Sequence, residues 1–224
     1  MKKIIAAIIP ARSGSKAIKN KNIIIFNKKP LIAHSILTAK KCRINKIILS
    51  TDSIKYREIG KKFGAEVPFL RPKKYSRDTS SDAEYIKHCY FWYLKNNIKI
   101  DIFIILRPTT PIRNFKIVNN ALKCFIEKKL HFLRSAHEAS ESPLKWFRRN
   151  KNGFYKPISK NSNLKLTNQT RQSFEKVYIP NGYVDILDTS KMKKKNIYGD
   201  KMFVFVTKRT YEIDTKEDLQ QITK

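Results

Sequence analysis

The hydrophobic positions of this chain occur in short continuous runs bounded by turn residues, and they do not alternate with polar positions. Such runs are typical of strands that are covered on both faces in a parallel sheet. Stretches with the apolar spacing of helices separate them, which predicts a βαβ series. The predicted strands are residues 4–9, 46–50, 102–106, 184–187 and 202–206, and the predicted helices are residues 31–41, 54–63, 82–95 and 115–127.

Local start and stop signals support these elements. Asn114 precedes the helix predicted at 115–127 as an N-cap, and Gly64 follows the helix predicted at 54–63. Thr215-x-x-Asp218 has the form of a capping box, so a final helix is expected to begin there.

The pattern changes between about residues 130 and 176. Short β-like pieces surround an Asn152-Gly153 turn, which favours an inserted hairpin or arm over further βαβ units. The sequence therefore predicts one domain over residues 1–224. Its expected fold class is α/β, with a mostly parallel sheet, helices on both faces and an inserted β-rich arm.

Charge raises the question of nucleic acid. The chain of 224 residues carries 48 Lys and Arg against 18 Asp and Glu, a formal net charge of +30. Lys, Ile and Asn are frequent even where no motif occurs, so we attribute most of this charge to solvated faces and expect no nucleic-acid partner. A non-catalytic basic nucleic-acid-binding protein remains the alternative from another class. A positive cleft would also concentrate anionic substrates.

Three cysteines, at 42, 89 and 124, form no C-x-x-C pair and are interpreted as buried thiols in a reducing compartment. No apolar run approaches the roughly 18 residues of a membrane span. These observations predict a cytoplasmic protein with no membrane partner.

The loop after the first predicted strand carries the clearest chemistry. Ligands of open α/β sheets bind beyond the carboxyl ends of strands. Gly14 permits close backbone approach, Ser15 offers a hydroxyl, and Arg12, Lys16 and Lys21 supply cations to phosphate oxygens. The spacing fits neither a P-loop nor a dinucleotide fingerprint. A basic surface turn is the alternative that the residues alone leave open.

Further motifs occur in order along nearly the whole chain. They are Pro10-Ala11-Arg12-Ser13-Gly14-Ser15-Lys16, Lys21-Asn22-Ile23, Ser50-Thr51-Asp52-Ser53, Leu70-Arg71-Pro72, Ser76-Arg77-Asp78-Thr79-Ser80, Leu106-Arg107-Pro108-Thr109-Thr110-Pro111-Ile112-Arg113, Ser142-Pro143-Leu144-Lys145, Thr170-Arg171-Gln172, Pro180-Asn181-Gly182 and Glu212-Ile213-Asp214-Thr215. In this order they closely resemble the acylneuraminate cytidylyltransferases, or CMP-sialic acid synthetases.

The resemblance implies a Rossmann-like fold of the nucleotidyltransferase type, working as a homodimer with Mg²⁺. It also implies transfer of CMP from CTP to the anomeric hydroxyl of an acidic nine-carbon sugar of the sialic, legionaminic or pseudaminic kind, with release of pyrophosphate. Another acidic acceptor, either an eight-carbon sugar acid or a phosphorylated small molecule, is the alternative.

Site residues are assigned by the same resemblance. The expected nucleotide-binding residues are Arg12, Ser15, Lys21, Asn22, Arg71 and Ser80, and the expected sugar-binding residues are Arg107, Lys145 and Arg171. Arg171, Arg12 and Lys21 are the expected catalytic residues, while Asp214 and Glu212 are the expected metal ligands.

Three positions depart from the family's usual pattern. Glu212 stands where the family has an aspartate, and Arg107 stands where the sialic acid enzymes commonly have Gln. Tyr183-Val184-Asp185 also differs, on the sugar side, after an Asn181-Gly182 pair that is expected to form a turn. These departures leave the identity of the sugar open.

Overall fold

The computed structural model describes residues 3–223, with the side chain of the last of these excepted. Within that range there are ten strands and six α-helices, and they include every strand and helix that the apolar runs predict. The strands are β1 (Ile5–Pro10), β2 (Ile25–Phe26), β3 (Lys29–Pro30), β4 (Lys46–Ser50), β5 (Ile102–Ile105), β6 (Phe132–Glu138), β7 (Phe147–Arg149), β8 (Tyr155–Pro157), β9 (Tyr178–Asp188) and β10 (Phe203–Val206). The helices are α1 (Leu31–Lys40), α2 (Ile54–Phe63), α3 (Asp82–Lys95), α4 (Phe115–Glu127), α5 (Leu164–Thr167) and α6 (Lys216–Thr223).

Six strands form the central sheet, in the order β10-β6-β9-β5-β1-β4. β1 pairs in parallel with β4 and β5, and β10 pairs in parallel with β6. β9 runs antiparallel between β5 and β6. The predicted α/β class with a mostly parallel sheet is confirmed, and the antiparallel course of β9 is the feature that the apolar runs did not indicate.

Helices cover both faces of the sheet because successive side chains of a strand point to opposite sides. Ala7 and Ile9 of β1 belong to a buried cluster with residues of α1 and α4, whereas Ala6 and Ile8 pack with α3 on the other face. Burial of each such Ile stabilises the fold by about 1.5–3 kcal/mol. A strand with helices packed on both faces has no face in contact with solvent, and its sequence is therefore continuously apolar.

The inserted arm begins later than the expected residue 130. β6 lies inside the central sheet, paired with β9 and β10, so the separate segment starts after Glu138. The Ala139 amide donates to the Val177 carbonyl at 2.8 Å and closes the base of the arm. Between them, β7 and β8 form the predicted hairpin, whose turn places Gly153 at a φ of 88°.

The predicted helix ends are also confirmed. The Asn114 side chain accepts from the Lys116 amide, and Gly64 ends α2 with a φ of 91°. At α6, Asp218 Oδ2 accepts from the Thr215 amide while Thr215 Oγ1 accepts from the Asp218 amide. In residues 3–223 no helix is long and apolar enough to cross a membrane. Cys89 is buried, but Cys42 and Cys124 are only half-buried, contrary to the expectation for all three.

Candidate active site

The site forms where parallel strands end at one edge of the sheet. β1, β4 and β5 are neighbours with the same direction, so the loops that follow Pro10, Ser50 and Ile105 lie side by side. These loops carry the motifs that begin at Pro10, Ser50 and Leu106, which are far apart in sequence. The topology alone therefore brings together the first loop, Thr51-Asp52 and the segment beginning at Arg107.

A cavity of about 180 Å³ lies among these loops. All six predicted nucleotide-binding residues line it, together with Arg107. The lining residues are Pro10, Arg12, Ser15, Lys21, Asn22, Arg71, Tyr75, Arg77, Ser80, Asp82, Tyr85, Arg107, Pro108 and Thr109.

Hydrogen bonds hold the first loop in place. The buried Asn22 donates from Nδ2 to the Arg12 carbonyl at 2.9 Å. Ser13 donates from its amide and its hydroxyl to the two carboxylate oxygens of Asp52, at 2.8 and 2.9 Å. Asn22 therefore fixes the loop from within, and Asp52 fixes it from the neighbouring loop, after β4.

Arg71 forms a buried wall of the cavity. It is 5% exposed and donates to the Ser50 hydroxyl at 3.0 Å and to the Ser50 carbonyl at 2.5 Å. Burial lowers its pKa, and its guanidinium lies 4.9 Å from the centre of the Tyr85 ring. Among the residues that the structure describes, nothing hydrogen-bonds to the buried Tyr85 hydroxyl. The sequence did not identify Tyr85, because an aromatic in the apolar stripe of a helix is typical of core packing.

Asp78 faces the cations of the first loop. Its carboxylate accepts from Arg12 at 2.5 Å and from Lys16 at 2.7 Å. Hydrogen bonds from Lys16, and then from Arg12, lower its pKa, so it is a carboxylate at neutral pH. Asp78 thus places an anion beside a predicted phosphate-binding arginine. Ser80, close by, accepts from the Arg77 amide at 3.1 Å and shapes this loop.

The two predicted metal ligands lie beside the cavity. Asp214 Oδ1 accepts from Lys21 Nζ at 2.7 Å, and the Ile213 amide donates to the Thr109 carbonyl at 2.7 Å. Burial raises the pKa of Glu212, and the nearby charge of Asp214 raises it further. Two adjacent carboxylates suit Mg²⁺, which keeps most of its waters. Residues 3–223 hold no group of three or more His, Cys, Asp or Glu able to bind a metal.

Asn181 and Gly182 do not form the expected turn. Both lie inside β9, where the pairing with β6 shifts register, and Gly182 has a φ of 59°. A Cβ atom at Gly182 would overlap the Glu212 carboxylate. The pair is therefore an irregularity within a strand that allows close approach of the segment containing Glu212.

Arg113 ties the loop after β5 to β9. It donates to the carbonyls of Arg107, Gly182 and Tyr183 at 2.6, 3.0 and 2.7 Å, and to the Ser35 hydroxyl at 3.0 Å. Burial, and after it the charge of Arg107, lowers its pKa to about 9. Its acceptors are all neutral, so Arg113 acts as a clamp on the backbone that positions Arg107.

Arg107 is enclosed by carboxylates. Its Nη2 donates to Asp82 Oδ2 at 2.5 Å and to Asp185 Oδ2 at 2.9 Å. Asp185 also accepts from Arg134 at 3.1 and 3.2 Å. Asp185 and Arg107, two of the positions that depart from the family's usual pattern, are thus partners in the structure.

The remaining two sugar-side residues lie outside the cavity. Arg171 is 61% exposed, pairs with Glu138 at 3.4 Å and lines a second cavity, of 420 Å³, at the base of the arm. Lys145 ends the 3₁₀ helix Pro143–Lys145 of the arm and is half-buried. In the described part of the chain no residue lines both cavities, so these two assignments remain predictions.

Comparison with known proteins agrees with this geometry. The cytidylyltransferase family profile matches residues 6–224. The pseudaminic acid cytidylyltransferase of Campylobacter jejuni subsp. jejuni serotype O:23/36 is 33% identical over 228 residues, covering 95% of this chain and 92% of that protein. The N-acylneuraminate cytidylyltransferase of Escherichia coli O18:K1:H7 is 38% identical over 126 residues, which is 56% of this chain but only 29% of that protein.

A solved CMP:2-keto-3-deoxy-manno-octonic acid synthetase, complexed with CTP, shares the fold. It aligns with a TM-score of 0.73 and 15% identity over 99% of this chain and 97% of its own. The order of motifs, the cavity that they build and the match over residues 6–224 lead to the same conclusion. The chain belongs to the cytidylyltransferase family.

Proposed function

We propose that this protein transfers CMP from CTP to the anomeric hydroxyl of an acidic nine-carbon sugar, releasing pyrophosphate. The observation that carries the proposal is the cavity in which six nucleotide-binding residues predicted from distant motifs lie together. The similar proteins named for N-acylneuraminate and pseudaminic acid support a nine-carbon acceptor. The unpaired cysteines support a cytoplasmic site of action.

The chemistry places charge on phosphate oxygens and requires no protein nucleophile. The sugar hydroxyl attacks the α-phosphorus, and the bond to the leaving pyrophosphate breaks. Arg12, Lys21 and Ser15 line the cavity and would bind the triphosphate, while Arg71 and Asn22 form the wall proposed for the nucleoside. Fixed cations and donors of this kind stabilise charge as it develops.

Asp214 and Glu212 would hold Mg²⁺ beside Lys21. The bound ion supplies a Lewis acid that neutralises the leaving group. Lys21 contributes its own cation next to Asp214, so it would contact a phosphate at this end of the cavity.

For the acceptor, we propose that Lys145 and Arg171 bind the sugar carboxylate, because Arg offers paired donors to a carboxylate. We also propose a homodimer that uses the arm, since large apolar side chains are exposed on it. These are Trp146, Phe147, Phe154 and Leu164. Light scattering on the intact protein, compared with a variant lacking residues 140–176, tests the assembly.

A pyrophosphate-release panel tests the proposed reaction. Purified protein, CTP and Mg²⁺ are combined separately with sialic, legionaminic and pseudaminic acids, with an eight-carbon sugar acid and with phosphorylated small molecules. We expect release that depends on one or more of the nine-carbon acids. Release only with the eight-carbon acid or a phosphorylated acceptor would support the alternative acceptor, and no release with any of them would overturn the proposal.

A further inference from the structure

Arg107 belongs to a four-residue ion cluster beside the cavity that it lines. Asp185, whose side chain is only 4% exposed, lies between Arg107 and Arg134, while Asp82 contacts Arg107 from the first turn of α3. Two arginines and two aspartates leave the cluster without net charge. Arg107 is therefore not an uncompensated cation available to a sugar carboxylate.

The geometry leaves part of the guanidinium free. Both carboxylates accept from the same nitrogen, Nη2. Nε and Nη1 of Arg107 make no hydrogen bond within residues 3–223, and the side chain is 23% exposed and lines the cavity. These two nitrogens are donors without a protein acceptor.

Asp185 is the rigid member of the cluster. It sits on the central strand β9, opposite Ile105 of β5 on one side and Arg134 of β6 on the other. Asp82, by contrast, is 37% exposed at a helix start. A carboxylate held on both sides by strand pairing fixes the direction of the guanidinium better than an exposed one.

We propose that Asp185 is a positioning residue for acceptor selection. It holds Arg107 by Nη2 so that Nε and Nη1 donate to a neutral oxygen of the acceptor sugar, a hydroxyl or an N-acyl carbonyl. The charge-neutral cluster selects by hydrogen-bond geometry, not by net charge. This inference rests on the proposed function and deepens it.

The test compares four proteins with the wild type in the pyrophosphate-release assay. They are Asp185→Asn, Arg107→Gln, the double variant and the matched control Asp188→Asn, an acid on the same strand that pairs with His131 and lies outside the cavity. The measurements are KM for the sugar, KM for CTP, kcat and the thermal shift caused by CTP.

Loss of one charge-assisted contact corresponds to a factor of about 10 to 100. We expect Asp185→Asn and Arg107→Gln each to raise KM for the sugar by about that factor, with KM and thermal shift for CTP unchanged. The double variant should be no worse than Arg107→Gln alone, because Asp185 acts through Arg107. Asp188→Asn should resemble the wild type.

Other outcomes overturn the inference in distinguishable ways. An active wild type together with an unchanged sugar KM in Asp185→Asn, or equal rises of both KM values, would assign the cluster a structural role only. Additive effects in the double variant would show that Asp185 acts independently of Arg107. A wild type that used no acidic sugar would overturn the proposed function and this inference with it.

Discussion

At the scale of single residues, the cations predicted to bind phosphate have protein carboxylates beside them. Asp78 pairs with Arg12 and Lys16, and Asp214 pairs with Lys21. A triphosphate that enters the cavity would have to compete with the carboxylates of Asp78 and Asp214 for these cations. The cleft is therefore less positive than the formal net charge of +30 indicates.

The competition can be measured with Asp78→Asn. Removal of the carboxylate should strengthen CTP binding by about 2-fold to 5-fold, because exposed ion pairs of this kind are weak. Calorimetric titration with CTP checks this. Glu58→Gln removes another exposed, ion-paired carboxylate, one that does not line the cavity, and should leave CTP affinity unchanged. Weaker CTP binding in Asp78→Asn would show that Asp78 assists the nucleotide.

The proposed metal ligand gives a second residue-scale prediction. Asp214→Asn should lower kcat by about 100-fold, because the leaving group loses a cation, and added Mg²⁺ should partly restore the rate. Glu212→Gln should have a smaller effect. Asp200→Asn, at an exposed position outside the cavity, is the control. Normal turnover by Asp214→Asn at limiting Mg²⁺ would contradict the metal assignment.

At the scale of elements, β9 organises the site more than any helix. The irregularity at Gly182 leaves space for the Glu212 carboxylate, and carbonyls of β9 accept hydrogen bonds from Arg113. Asp185 of the same strand accepts a hydrogen bond from Arg107. An 11-residue strand at the centre of the sheet therefore supports both the segment containing Glu212 and the side chain of Arg107.

Gly182→Ala tests this role. A side chain at a φ of 59° costs about 1–2 kcal/mol of unfolding free energy, and the new Cβ would displace the Glu212 carboxylate. Urea unfolding should show the loss, and the Mg²⁺ concentration needed for half-maximal rate should rise. Gly14→Ala is the control for stability, since no atom lies within 4 Å of its added Cβ. Equal stability of the two variants would contradict the close packing at Gly182.

In the arm, Arg171 is expected to bind the sugar carboxylate. Arg171→Lys keeps the charge but loses the planar fork, so kcat/KM for the sugar should fall by about 10-fold or more while CTP affinity is retained. Arg148→Lys, on the exposed hairpin of the same arm, is the matched control. Unchanged kinetics for every acidic sugar would limit Arg171 to its ion pair with Glu138.

At the scale of the whole molecule, excess positive charge makes nonspecific phosphate binding the main competing explanation for any effect of CTP. Specific binding to the native state raises stability by mass action, whereas diffuse charge does not distinguish nucleobases. CTP at 100 times its Kd should raise Tm by about 5–10 °C, and ATP or GTP by much less. Differential scanning fluorimetry measures this, with Arg12→Ala expected to lose the protection. Equal shifts with all nucleotides would indicate nonspecific binding.

The local patterns of the chain were sufficient for its fold class and most element bounds. Periodicity and end signals such as Asn114 and Gly64 depend on neighbours a few residues away, so they can be read along the chain. The six positions expected to bind nucleotide were assigned from the family resemblance of local motifs, and the structure brings all six together along one cavity.

Contacts between distant segments were decided only by the tertiary structure. The residues of β9 do not show that it runs antiparallel to its neighbours, because a buried strand has the same apolar composition in a parallel and in an antiparallel arrangement. The pairing of Arg107 with Asp185 spans 78 positions, and that of Asp78 with Arg12 spans 66. The sequence shows which residues are charged but not the distances between them in space. The interaction energy of two charges depends on that distance. The motifs can thus be recognised in the sequence alone, whereas the pairing of the charged groups is determined by how the strands assemble into the sheet.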